Sequence, residues 1–186
     1  MPEKAIFISH SSKDYEIAKR ICDVFEENGL GCWIAPRDIP YGAEWAETIV
    51  RGIRASSIML VLITEHSVAS KHVIREIHSA VRNDVRVLYV RLDSAPLSDG
   101  LAYYLDVLQE IDIDLASDRC DEELLRLTAY VKTCLSGFPE GGTAGRSRPR
   151  LSSGQVEISG VRVSREPAAG EDAFSDMMRG LLRKLR

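Results

Sequence analysis

Six consecutive apolar residues, Ile58-Met59-Leu60-Val61-Leu62-Ile63, show no alternation of polar and apolar positions. A strand with one wet face alternates with period two, so a strand apolar on both faces must be covered on both. The run is the longest of its kind in the chain and is far too short to span a bilayer. Beyond it, Ser70-Lys71-His72-Val73-Ile74-Arg75-Glu76-Ile77 opens a helical pattern carrying Ile74, Ile77 and Val81. A buried strand followed by an amphipathic helix is the repeating unit of a parallel sheet with helices packed on it.

The same unit recurs along the chain. Ala5-Ile6-Phe7-Ile8 reads as a buried strand that stops at Ser9-His10-Ser11-Ser12. Lys13 to Asn28 is predicted helical, with Ile17, Ile21, Val24 and Phe25 in phase and Asn28-Gly29 as the stop. Leu30 to Ile34 is a second strand, and the prolines and glycine of Ala35 to Gly42 make the next stretch a loop. A helix is expected from Ala43 to about Ala55, its stripe formed by Trp45, Ile49, Val50 and Ile53. After Ile58–Ile63 and the Glu76 helix, which runs to about Asn83, come a strand at Val85–Val90 and a loop with a short helix at Pro96–Leu105. A weaker strand at Val107–Ile113 and a helix at Glu122–Leu135 complete the series.

Five alternations predict an α/β domain: a five-stranded parallel sheet, right-handed crossovers and helices on both faces. Ligands of such sheets bind beyond the carboxyl ends of the strands. Three polar segments follow strand ends directly, Ser9–Ser12, Ala35–Gly42 and Thr64–His72, and should converge on one rim. Glu76 should lie just beneath it. A carboxylate placed among the apolar positions of its helix must be paired or face a cleft; the plainer reading is a glutamate that solvates its helix face.

Charge is uneven. Residues 1–136 carry 15 Lys+Arg against 22 Asp+Glu, and residues 137–186 carry 9 against 6. An acidic body is no nucleic-acid footprint. The four cysteines, Cys22, Cys32, Cys120 and Cys134, form no CxxC pair and have no histidine at ligand spacing, so they read as small buried thiols of a reducing compartment and no metal is expected. The N-terminus lacks the apolar core of a signal peptide. A cytoplasmic protein without membrane contact is expected.

From about Gly137 the chain becomes rich in Gly, Pro, Ser and Arg, and residues 137–154 are expected to form a flexible linker. Residues 155–186 form a C-terminal extension. Within it Gln155 to Val163 alternates with period two, and Glu171 to Arg186 is amphipathic through Phe174, Met177, Met178, Leu181, Leu182 and Leu185. That helix either packs back on the domain or serves an oligomer or partner.

Four blocks then align with one family. AIFISHSS at 5–12, CWIAPRDIPYG at 32–42, IMLVLIT at 58–64 and SKHVIRE at 70–76 occur in the order and spacing of a TIR domain, and the chain resembles that family over residues 4–136. The second block is most similar to prokaryotic members. The resemblance implies a flavodoxin-like TIR fold and, for many members, cleavage of NAD at the nicotinamide–ribose bond. It maps the required glutamate onto Glu76, the nucleotide-lining loop onto Ser11 and Ser12, and the loop that closes over ligand onto Pro40; Trp33, which precedes that loop, is expected with Ser11, Ser12 and Pro40 among the ligand-binding residues, and Trp45 follows the loop. It further implies self-association through TIR–TIR contacts, a role in bacterial stress or antiphage defence, and a sensor or effector in a separate protein or in the tail. On the second loop, Arg37 and Asp38 are candidates for head-to-tail charge contacts.

The chain departs from the pattern at two places. Serines stand where some members have arginines after the first strand, and His72 stands where many have an aromatic residue or cysteine. His10 and His72 both fall near the expected rim; surface or structural roles are the plainer reading for each. One alternative is an adaptor that binds other TIR surfaces without catalysis, for which no carboxylate at position 76 is needed. A nucleotide-binding response domain is disfavoured because no acidic cluster follows the first strand.

Overall fold

The computed structural model describes residues 4–108 and 110–136. The expected linker at 137–154 and the extension at 155–186, with its alternating segment and amphipathic helix, lie outside the described residues. Five strands, β1 (Ile6–Ser9), β2 (Cys32–Ile34), β3 (Ile58–Ile63), β4 (Arg86–Arg91) and β5 (Glu110–Asp112), form one sheet in the order β2-β1-β3-β4-β5. Every neighbouring pair is parallel. The helices are α1 (Tyr15–Glu27), α2 (Trp45–Ala55), α3 (Lys71–Arg82), α4 (Asp99–Leu105) and α5 (Cys120–Leu135).

β3 behaves as its composition demands. Ile58, Leu60 and Leu62 enter the core beneath α1 and α5, while Met59, Val61 and Ile63 enter the one beneath α2, α3 and α4. All six side chains are essentially inaccessible, and burying each contributes about 1.5–3 kcal/mol. The strand order reverses direction between β1 and β3, which opens a crevice between their carboxyl ends.

The helix ends are set by local chemistry. Ser70 caps α3 by accepting from Val73 N at 3.4 Å, and Glu44 caps α2 by accepting from Glu47 N at 2.6 Å. Asn28 closes α1 by donating its amide to Val24 O at 2.8 Å, and Gly29 follows at φ +81°.

Boundaries differ from expectation where backbone bonds end an element early. A 3-10 turn at Ser12–Asp14 precedes α1, which starts at Tyr15 rather than Lys13. β2 begins at Cys32 because Leu30 N still bonds Phe25 O, at 2.9 Å, in the turn that ends α1. β5 is confined to Glu110–Asp112; Leu108 N bonds back to Leu105 O at 2.8 Å, and Val107 is exposed. Trp45 does not join the buried stripe of α2. Thr48, Gly52 and Ile53 do, and Trp45 turns half its surface to solvent.

Candidate active site

The rim at the carboxyl ends of β1, β2 and β3 is stitched together by side chains. His10 joins the first loop to the second: its Nδ1 lies 2.7 Å from Ser11 O and its Nε2 3.1 Å from Ala35 O. Asp14 joins the first to the third by accepting from Thr64 Oγ1 at 2.6 Å, deep in protein. The third loop is folded on itself, with Thr64 N donating to Ser67 Oγ at 2.8 Å. The three polar segments therefore share one rim.

Glu76 lies beneath that rim. On α3 the buried positions are Val73, Ile77 and Ala80, and Glu76 falls within this stripe rather than on the wet face. The residue as a whole is partly buried, but its carboxyl is the deep end. Ser9, the fully buried last residue of β1, donates its hydroxyl to Glu76 Oε2 at 2.6 Å. Burial pushes the carboxyl up to about 7, and the bond from Ser9 opposes that rise without cancelling it. Among the described residues no lysine or arginine pairs with Glu76. The result is one carboxyl whose charged form burial disfavours, held at one oxygen, at the switch point of the sheet.

The other expected site residues are spread around this centre. Ser11 is buried and caps the 3-10 turn, its Oγ accepting from Lys13 N at 3.4 Å, and Ser12 is exposed beside it. Pro40 is exposed on the second loop, between Ile39 and a fully exposed Tyr41. Trp33 sits in the core, 7% exposed. It pairs in register with Phe7, and the two rings stack at 4.7 Å with 11° between planes. That puts it roughly 7 Å down the strand from the level of Ser9, on the same sheet face. His72 is exposed on the first turn of α3, one turn before Glu76.

Arg37 and Asp38 bond within the chain, although Arg37 remains exposed and Asp38 half-buried. Arg37 forks onto Glu26 at 2.9 and 3.1 Å, donates to Cys32 O at 2.9 Å and Cys22 Sγ at 3.2 Å, and reaches Asp38 at 2.9 Å. Asp38 also accepts from Ile34 N at 2.8 Å and pairs with Lys4. Burial alone would raise the Asp38 carboxyl; the bonds from Arg37, Lys4 and Ile34 outweigh it and hold the group below the usual range.

The residues unforeseen as site partners are Ser9, Asp14 and the carbonyl of Ala35. For Ser9 a signal existed: it is the first polar residue after an apolar strand, and period two places it on the side of Phe7. Among the described residues no group of three or more His, Cys, Asp or Glu could hold a metal ion, and no helix is long and apolar enough to cross a membrane.

A family profile described as TIR domain matches residues 6–128. The chain belongs to the TIR domain family. Among solved structures, the TIR domain of the Toll-related receptor TRR-2 from Hydra magnipapillata matches with a TM-score of 0.59 at 14% identity, over 70% of this chain and 99% of that one. A metazoan TIR-STING receptor from C. gigas, in complex with 2',3'-cGAMP, matches with a TM-score of 0.54 at 25% identity, over 69% of this chain and 40% of that one. These likenesses reach the TIR fold; the TIR-STING receptor extends well beyond the part that matches. No curated protein matches the chain. Ser9, Glu76 and the rim loops all lie within the matched TIR segment.

Proposed function

We propose that this TIR domain protein, with its domain spanning residues 4–136, cleaves NAD+ at the nicotinamide–ribose bond. The products are nicotinamide and ADP-ribose or a cyclic isomer of it. The single observation that carries the reading is the Glu76 carboxyl, buried beneath the rim at the switch point of the sheet, held by Ser9 and free of any cationic partner among the described residues.

Glycosidases need a second carboxyl as acid because a sugar leaves as an alkoxide. Nicotinamide in NAD+ is already cationic and departs neutral, so no acid is required. What needs stabilising is positive charge growing on the ribose carbon as the bond to nitrogen breaks. A carboxylate at the ribose hydroxyls supplies this electrostatically. A preorganised group of this kind contributes about 3–4 kcal/mol, or two to three powers of ten in rate. Water then captures the ribosyl cation, or a hydroxyl or adenine nitrogen of the same molecule closes a ring. Ser11 and Ser12 line the nucleotide side in this reading, Pro40 covers the ligand from the second loop, and Trp33 stands behind them.

Self-association through TIR–TIR contacts belongs to the proposal, as do a cytoplasmic location, a separate sensor or effector protein, and a role in bacterial stress or antiphage defence. So do residues 137–154 as linker and 155–186 as extension. The exposed segment Pro40-Tyr41-Gly42 supports the assembly part, since Tyr41 is a fully exposed large side chain on the second loop. The catalytic part is tested by incubating the purified full chain with NAD+ beside Glu76→Ala and separating the products by chromatography. Nicotinamide from the wild type alone supports the reading; no nicotinamide from either, at concentrations that assemble the protein, favours a non-catalytic adaptor. Specific activity that stays flat down to nanomolar protein would remove the requirement for assembly.

A further inference from the structure

We infer that Ser9 is the positioning residue of Glu76: its hydroxyl fixes one carboxylate oxygen and presents the other to the ribose. The inference rests on the catalytic reading of Glu76 and adds to it a residue that acts without touching substrate.

The geometry of the pair carries the argument. Ser9 is the last residue of β1 and is held by parallel pairing to Val61 of β3, so its backbone cannot drift. Strand periodicity aims its side chain at the face covered by α3, the same face that receives Phe7. The residue has no exposed surface, and Glu76 Oε2 at 2.6 Å is its side-chain partner among the described residues. A hydroxyl locked in a strand and closed to water is a preorganised donor. It favours the rotamer that puts Oε2 against the strand and leaves Oε1, which has no hydrogen bond among the described residues, turned away from it.

The same contact also bears on charge. A hydroxyl donating to a carboxylate stabilises the ionised form more than the neutral one, because bonds to charged acceptors are the stronger kind. Burial acts in the opposite sense on Glu76 and is the larger effect. Ser9 therefore limits how far burial can keep the group protonated. A small spacer at position 9 would offer the same room without the donor, so alanine removes one function and keeps the other.

The test uses the full chain and two readouts. The Glu76 carboxyl is followed by carbon-13 NMR against pH, its signal assigned by its loss in Glu76→Gln, in wild type, Ser9→Ala and Ser9→Thr. Nicotinamide release is measured across the same pH range. Expected is a midpoint near 7 in wild type and a higher one in Ser9→Ala. Nicotinamide release by Ser9→Ala should fall about tenfold or more at neutral pH. Part of that loss should return in alkali, where the carboxyl ionises without help. Ser9→Thr, which restores the hydroxyl, should return both the midpoint and most of the rate. Ser9→Cys, similar in size but a weak donor, replaces alanine if that variant does not fold. An unchanged Glu76 midpoint in folded Ser9→Ala, or a loss of rate equal at every pH and shared by Ser9→Thr, overturns the inference. If wild type releases no nicotinamide while Ser9→Ala still moves the midpoint, the NAD+ reading fails and the Ser9–Glu76 coupling stands.

Discussion

The indole of Trp33 lies across the α-carbon of Gly52, so close that a β-carbon there would meet Trp33 Cε2 at 2.7 Å and Cδ2 at 2.8 Å. The ring cannot retreat, because Phe7 stacks on it at 4.7 Å. Gly52→Ala should therefore destabilise the domain, although alanine is the better helix former by about 1 kcal/mol. Overpacking of this kind costs about 1–3 kcal/mol. Urea unfolding of the two proteins decides it. A variant as stable as wild type, or more so, would mean that Trp33 can move aside.

Glu76 should make stability fall as pH rises. Its folded-state carboxyl sits near 7, above the ordinary 4.5, so between those values the folded protein binds more protons than the unfolded chain. That advantage is complete below about pH 4.5 and lost by the time pH passes 7. Glu76→Gln keeps an acceptor for Ser9 and removes the buried charge. It should be more stable than wild type at pH 8, by about 1–3 kcal/mol, with the gap closing toward pH 5. Denaturant titrations at pH 5 and pH 8 test this; a gap independent of pH would show that the Glu76 carboxyl titrates normally.

Rate should show the opposite slope. Only the carboxylate can stabilise a ribosyl cation, so kcat/KM for nicotinamide release should climb with pH along a limb centred near 7, the value for the free enzyme. On the proposed reading, bound NAD+ would place its pyridinium charge near Glu76 and draw the group toward ionisation, so the limb for kcat should lie at lower pH. Initial rates against pH at low and saturating NAD+ separate the two. Coincident limbs would mean that the substrate cation does not reach the carboxyl.

Legibility in the sequence tracked how local each determinant was. β3 could be read because six apolar residues without alternation admit few structures, and both cores meet on it. The inward placement of Glu76 was only partly legible: the sequence suggested a stripe of Ile74, Ile77 and Val81, whereas the fully buried positions are Val73, Ile77 and Ala80, with Ile74 and Val81 half-buried. The bounds of β2 and β5 could not be read, since edge strands end where a neighbouring turn claims their backbone, as Phe25 O does for Leu30 N. The Ser9–Glu76 bond joins residues 67 apart, and no periodicity reports such a pair. Trp33 is a ligand-binding candidate in the sequence because it stands just before a loop; its register with Phe7, visible only once the strands pair, carries it into the core. Arg37 looked available for a neighbouring protomer, yet its partner Glu26 lies 11 residues back on α1.

That inward turn of Arg37 separates two parts of the second loop. The fork onto Glu26 and the bonds to Asp38, Cys32 O and Cys22 Sγ pin the beginning of the loop to α1 and β2. Lysine cannot reproduce a planar fork with five donors. Arg37→Lys should therefore lower stability by about 1–2 kcal/mol, most of it from the carbonyl and carboxylate left without a donor. Glu26→Gln should cost less than about 1 kcal/mol, since Glu26 is the more exposed partner. Tyr41→Ala, at a fully exposed position, should leave the unfolding midpoint where it is. If Arg37→Lys leaves stability untouched and instead abolishes self-association, measured by light scattering, the guanidinium is an interface group after all and the intramolecular network is not what holds the loop.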